Sequence, residues 1–110
     1  MSAPLEEYDA CMELHRTGKI DEAKERLLKL TEEHSEFALA FNALGAILKK
    51  EGQIHKAIQY AEKYCELEPD DAFGFTVLSS FCIEAGLRDK AEDALMAAQD
   101  LRFKEHFTNE

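Results

Sequence analysis

Between Ala38 and Asp71 the apolar positions keep helical time. Phe41, Leu44, Gly45 and Leu48 sit at i, i+3, i+4 and i+7, which places an apolar stripe on one face of a helix. Gly52 interrupts it. Ile54, Ala57, Ile58, Ala61, Tyr64 and Cys65 then carry the same periodicity on a second helix, which must end before Pro69 because the residue ahead of proline is pushed out of the helical region. A short connection between two helices of this length forces an antiparallel hairpin with the stripes facing each other.

The flanking segments are imperfect copies of this unit. Gly18, Gly52 and Gly86 recur at an interval of 34 residues, and so do Ala23, Ala57 and Ala91. A period of this size means stacked supersecondary units. The first runs over residues 4–37, with Pro4 in the opening turn behind a cap at Ser2 or Ala3. Ala10, Cys11 and Leu14 form its inner face, and Ile20, Ala23, Leu27 and Leu30 the returning helix. Ser35 is a candidate N-cap for the middle unit, residues 38–71. The third unit, residues 72–105, is capped by Asp70 or Asp71 and carries Phe75, Leu78, Ser79, Cys82, Gly86, Ala91, Leu95 and Ala98 at matching phases. Residues 106–110 are left as a short tail.

At these residues the middle unit resembles a tetratricopeptide repeat, whose slots run aromatic, Leu-Gly, bulky, Gly, Ala, large, Ala, Pro. Phe41, Leu44 with Gly45, Leu48, Gly52, Ala57, Ala61, Tyr64 and Pro69 occupy them. Ala61 and Tyr64 exchange a large and a small slot one turn apart, a volume-conserving swap that reads as repacking. In the first unit Glu7 stands where Phe41 and Phe75 stand later, and Ser35 replaces proline; a charge near the uncovered edge suits a terminal repeat. The resemblance implies an all-α fold, an α-solenoid of three helix-turn-helix units in a right-handed superhelical stack, forming one domain over 1–110.

The chain of 110 residues is 45% hydrophobic and 33% charged, enough apolar content for one core. No apolar run is long enough to cross a bilayer, and the N-terminus lacks the basic and apolar regions of a signal peptide. A cytoplasmic protein is expected, in which three cysteines without a Cys-x-x-Cys pair stay as thiols. A net charge of −10 repels phosphate backbones and anionic lipids, so neither nucleic acid nor membrane is an expected partner.

Catalytic chemistry finds no foothold in the spacing. His15, His34, His55 and His106 form no i, i+4 ligand pair, so no metal site is expected. Cys11 and Cys82 fall in inward slots and Cys65 beside a buried face, where thiols are small core residues. No base and orienting group converge on a nucleophile. The expectation is a non-enzyme without cofactors.

Function must then reside on the surface that stacking creates. The resemblance implies that the first helices line a concave groove through fixed slots, here Leu5, Tyr8, Met12, His15 and Arg16; Leu39, Asn42, Ala46, Lys49 and Lys50; and Phe73, Thr76, Ser80, Ile83 and Glu84. Leu5, Tyr8, Met12, Leu39, Phe73 and Ile83 would make an exposed apolar strip, the mark of a binding surface. The carboxylate clamp of tetratricopeptide co-chaperones is absent, because its slots hold Tyr8, Met12, Ala43, Phe73 and Val77. The expected function is a protein interaction module, adaptor or chaperone-like, that takes an apolar peptide segment, with Arg16, Lys49 and Lys50 meeting any acidic flank. The alternative is a self-association module with an idle groove. Ala94, Leu95, Ala98 and Leu101 would face the open end of the stack, where either Phe103 and Phe107 fold back as a cap or two copies pair as a homodimer.

Overall fold

The computed structural model of the chain describes residues 3–108 as six helices: α1 (Pro4–Arg16), α2 (Ile20–Glu33), α3 (Ala38–Lys50), α4 (Ile54–Leu67), α5 (Ala72–Glu84) and α6 (Arg88–Thr108). Among the described residues no strand occurs. The first helices begin at 4, 38 and 72 and the second at 20, 54 and 88, so every helix start obeys the 34-residue interval. Each helix packs on the next in sequence, within a hairpin and between hairpins, and the result is an α-solenoid measuring 40 × 35 × 23 Å.

Each hairpin turn is built the same way. Gly18, Gly52 and Gly86 have φ of +89°, +80° and +77°, a conformation that costs a side chain but not glycine. It lets two amides turn back on the helix just ended: Gly52 N–H donates to Lys49 O at 3.0 Å and Gln53 N–H to Leu48 O at 2.9 Å, with the same pair of bonds at the other two turns.

Within each hairpin the crossing uses small residues of matching phase. Cys11, Gly45 and Ser79 on the first helices face Ala23, Ala57 and Ala91 on the second, and all six are buried. Ser79 Oγ donates to Ala91 O at 2.8 Å, which satisfies a hydroxyl that would otherwise be orphaned in the core. A Cβ added at Gly45 would stand 3.5 Å from Ala57 O, ordinary contact. Gly45 is therefore not the tightest point of the stack. That point is Gly74, where a Cβ would come 2.7 Å from the ring of Tyr64.

The exchange of Ala61 and Tyr64 is thus more than repacking within one helix. Tyr64 lies over the start of α5, Gly74 makes room for its ring, and its hydroxyl donates to Asp71 Oδ2 at 2.5 Å. Asp71 in turn caps α5 by accepting from Phe73 N–H at 3.0 Å. The other expected caps differ. Ser2 lies outside the described residues, Ala3 opens α1 with no side chain to offer, and Phe37 rather than Ser35 precedes α3, while the Ser35 hydroxyl turns to Glu36.

Two apolar clusters hold the stack. The first joins Cys11, Leu27, Leu30, Ala40, Ala43, Leu44 and Ile47, and the second joins Leu48, Ala57, Ile58, Ala61, Phe81, Cys82 and Ala91. Phe41 and Phe81 are buried aromatic rings, whereas Phe75, expected in the core, is only half-buried. Its second-helix neighbour by phase is Ala94, too small to cover a ring as Tyr60 covers Phe41.

Candidate functional site

The apolar residues at the second position of α1, α3 and α5 form a row at one phase of the repeat. Leu5, Leu39 and Phe73 are 53%, 40% and 56% exposed, and each precedes by a turn a residue that is half-buried: Tyr8, Asn42 and Thr76. Helix starts put them there, since Pro4, Ala38 and Ala72 open their helices and the next side chain must point away from the hairpin crossing at Cys11, Gly45 and Ser79. Ile83, also exposed, extends the apolar surface along α5.

Two members of the expected strip lie deeper than the rest. Tyr8 and Met12 are half-buried against the first core cluster, and the Tyr8 ring meets Phe37 edge-on with centroids 5.9 Å apart. The phases are those of Asn42 and Ala46, so the first unit simply places larger side chains there, and they reach the core. Burial raises the Tyr8 hydroxyl above the ordinary tyrosine range, and nearby Asp9 adds to the shift.

The basic residues at the helix ends divide as well. Arg16 pairs with Glu13 of its own helix, its Nε donating to the carboxylate at 3.0 Å, which raises the guanidinium and lowers the carboxyl. Lys49 and Lys50 are exposed in the last turn of α3, where cations also suit the helix dipole. Thr76 accepts a hydrogen bond from Arg102 of α6 at 2.9 Å, so an α6 guanidinium borders the row at α5.

The open end is arranged otherwise than the sequence suggests. Ala94 and Ala98 are buried, whereas Leu95 is exposed and Leu101 half-buried, so the four do not form one open face. The self-cap, one of the two arrangements expected for this end, does not form among the described residues. α6 runs unbroken to Thr108, so Phe103 and Phe107 stay on the helix one turn apart, their rings tilted by 43° with centroids 4.5 Å apart, and both are exposed. Phe103 occupies the phase of Pro69, and without a proline the helix has no reason to stop. Between α5 and α6 lies a cleft of about 500 Å³ lined by Ser79, Ile83, Gly86, Arg88, Ala91, Glu92 and Leu95. Of these only Ile83 and Leu95 are legible from the strip and end-face patterns; comparing phase with the covered first unit would have found the others.

The three cysteines are free and buried. Burial raises each thiol, Cys65 to about 11 with help from Asp71 and Glu62, so all are protonated at neutral pH. Among the described residues no group of three or more His, Cys, Asp or Glu could hold a metal ion, and no helix is long and apolar enough to cross a membrane.

Helix pairs at a fixed 34-residue interval, turned by left-handed glycines and crossing through small residues, define a helical-repeat scaffold. Residues 38–71 match the tetratricopeptide repeat family, and the units on either side repeat the same helix hairpin at the same 34-residue interval. Its fold is similar to that of MamA, with a TM-score of 0.86 at 20% identity over 94% of this chain; the chain spans about three fifths of that protein, 61%. It is similar also to the Yersinia enterocolitica type III secretion chaperone SycD in complex with a peptide of the translocator YopD: TM-score 0.82, 23% identity, 99% of this chain and 88% of that one. A third similar structure is PcrH in complex with the chaperone-binding region of PopB, with a TM-score of 0.81 and 20% identity over 92% of this chain and 83% of that one. No curated protein sequence matches the chain.

Proposed function

We propose that the protein is an interaction module, adaptor or chaperone-like, whose single domain holds an apolar peptide segment of a partner protein across the concave side of α1, α3 and α5. The observation that carries this reading is the row Leu5, Leu39 and Phe73: three large apolar side chains at one phase of every unit, all left in solvent. A single exposed leucine needs no explanation, but a row repeated through the stack does. SycD, solved with a peptide of the translocator YopD, and PcrH, solved with the chaperone-binding region of PopB, share the fold, which supports the same use here. Lys49 and Lys50 would meet an acidic flank; Arg16 is already engaged by Glu13. The reading involves neither catalysis nor a cofactor. Free, protonated cysteines support a cytoplasmic setting.

Leu5, Leu39 and Phe73 recur once per unit, so an extended ligand would present large apolar side chains at regular intervals along its length. A fluorescent peptide of that pattern should bind the parent and lose binding to Leu5→Ser/Leu39→Ser/Phe73→Ser. Equal affinity for the variant, or for a peptide of the same composition with the apolar residues clustered, overturns the reading.

A second reading is self-association through α6, favoured by the exposed, contacting rings of Phe103 and Phe107. Sedimentation of the parent and of Phe103→Glu/Phe107→Glu over a wide concentration range decides it. A homodimer requires a concentration-dependent parent and a monomeric variant.

A further inference from the structure

The repeat supplies its own control for the open end of the stack. In the first unit the face made by the Cys11 side of α1 and the Leu27 side of α2 is covered by α3, and Leu27 is 0% exposed. Sixty-eight residues on, at the same phase, Leu95 is 41% exposed and lines the cleft between α5 and α6 together with Ser79, the phase-mate of Cys11. The cleft is therefore the seat that α3 fills on the first unit, repeated on the third.

We infer that this cleft docks one amphipathic helix from another protein, with an apolar face of small and branched residues, acidic residues in its first turn and basic residues in its last. It is a site separate from the row at Leu5, Leu39 and Phe73. The shape follows from the occupant of the equivalent seat: α3 presents Ala40, Ala43, Leu44 and Ile47 to the first unit. The charges follow from phase. Lys24 on α2 bonds Glu51, at the end of α3, at 2.8 Å; at the phase of Lys24 the cleft has Glu92, which calls for a cation at the end of the docked helix. His34 lies beside the start of α3, its carbonyl accepting from Phe37 N–H; at its phase stands Arg102, whose guanidinium donates to the neutral Thr76 hydroxyl at 2.9 Å and so keeps an uncompensated charge that calls for an anion at the beginning. Both preferences agree with the dipole of the incoming helix.

Other occupants fit less well. A second copy stacked head to tail would have to insert α1, and α1 carries Glu6, Asp9 and Glu13, all exposed, at the phases where α3 carries the buried Ala40, Ala43 and Ile47. Burying three carboxylates opposes that contact, which would otherwise grow into an open filament. A two-fold copy would set cleft against cleft, with no ridge to fill either. Among the described residues no segment of this chain returns to the cleft: α6 has 21 residues against 14 in α2, so its backbone runs about 10 Å past the point where α2 gives way to the turn into α3.

The test uses two synthetic helices locked by side-chain lactam bridges, with the same Ala/Leu face, one with Glu in the first turn and Lys in the last, the other with these charges exchanged. The first should bind the full chain at least about tenfold more tightly than the second. Leu95→Glu should abolish binding while leaving the circular dichroism spectrum unchanged. Glu92→Lys/Arg102→Glu should reverse the preference between the peptides. Leu5→Ser/Leu39→Ser/Phe73→Ser should leave all of this intact, so failure of the row as a binding surface would not affect this result. Equal binding of the two helices, binding indifferent to Leu95→Glu, or a parent dimer that Leu95→Glu dissociates would each overturn the inference.

Discussion

Glu7 Oε1 accepts two hydrogen bonds from Arg26, at 3.0 Å from Nε and 2.7 Å from a terminal nitrogen, and the pair holds α1 to α2. One unit later the same two phases are Phe41 and Tyr60, whose rings meet at 6.0 Å. Glu7 is therefore not the charge that shields the uncovered end. It points inward to a partner, and the shielding acids are Glu6, Asp9 and Glu13. The repeat keeps a contact between these two phases while changing its chemistry from ion pair to ring pair.

Exchanging one chemistry for the other should succeed only when both residues change. Glu7→Phe or Arg26→Tyr alone leaves a partly buried charge without its partner. Together they substitute a ring pair, worth about 0.5 to 1.5 kcal/mol, for a partly exposed ion pair worth at most about 1 kcal/mol. Denaturant midpoints of the four proteins should show both single variants below the parent and the double variant at or above it. Additive losses would mean that the two phases do not communicate.

Gly45 and Gly74 should respond to alanine with opposite signs. At Gly45 the new methyl meets only ordinary contacts, and helix propensity favours alanine by up to about 1 kcal/mol, so Gly45→Ala should be neutral or stabilising. At Gly74 the methyl meets the Tyr64 ring at 2.7 Å, and that ring is tethered through its hydroxyl to Asp71, so it cannot swing aside freely. Overpacking there should cost about 1 to 3 kcal/mol. In a Tyr64→Ala background the penalty of Gly74→Ala should vanish, which thermal melts of the pairwise set would register.

The helix boundaries were legible because glycine and alanine return at fixed phase, and six helices start where that phase puts them. The contact between Tyr64 and Gly74 was not, since it joins two helices in different units and neither residue type announces the other. Nor was the depth of Tyr8 and Met12. A slot pattern says which way a side chain points, and only its length against the neighbouring helix decides whether it reaches the core. The exposure of Leu5, Leu39 and Phe73 agrees with the slots that the family resemblance implied, which periodicity alone would not have singled out. The continuation of α6 into residues left as a tail was not legible, because it depends on Phe103 standing at the phase of Pro69, where the loss of a helix breaker lets the helix run.

Alkaline titration isolates the bond between Tyr64 and Asp71. Burial, and then the hydrogen bond to Asp71, push the Tyr64 hydroxyl from 10.0 up to about 12. A group whose pKa is raised by folding stabilises the native state while it stays protonated, so its contribution is whole below about pH 10 and is lost as pH rises through about 12. Other groups ionise in that window, which makes the difference from Tyr64→Phe the quantity to follow. The stability gap between parent and Tyr64→Phe, measured by urea unfolding, should close as pH climbs. A gap that is constant with pH would show that the hydroxyl gains nothing from Asp71.

Tyr8 and Leu5 are three residues apart on α1 and should separate packing from binding. Tyr8 is half-buried, packs on the first cluster and meets Phe37 at 5.9 Å, so Tyr8→Ser should cost about 1.5 to 3 kcal/mol. Leu5 is more exposed than not and belongs to neither cluster, so Leu5→Ser should shift stability by no more than about 0.5 kcal/mol, as should Leu39→Ser and Phe73→Ser. Thermal melts of the four single variants measure this directly. A melting temperature that falls as steeply for Leu5→Ser, Leu39→Ser and Phe73→Ser as for Tyr8→Ser would make the row part of the core, and its side chains would then be unavailable to a peptide. Parent-like melting in those three, beside a clear loss for Tyr8→Ser, would leave the row with no structural duty and binding as the remaining reason for its return in every unit.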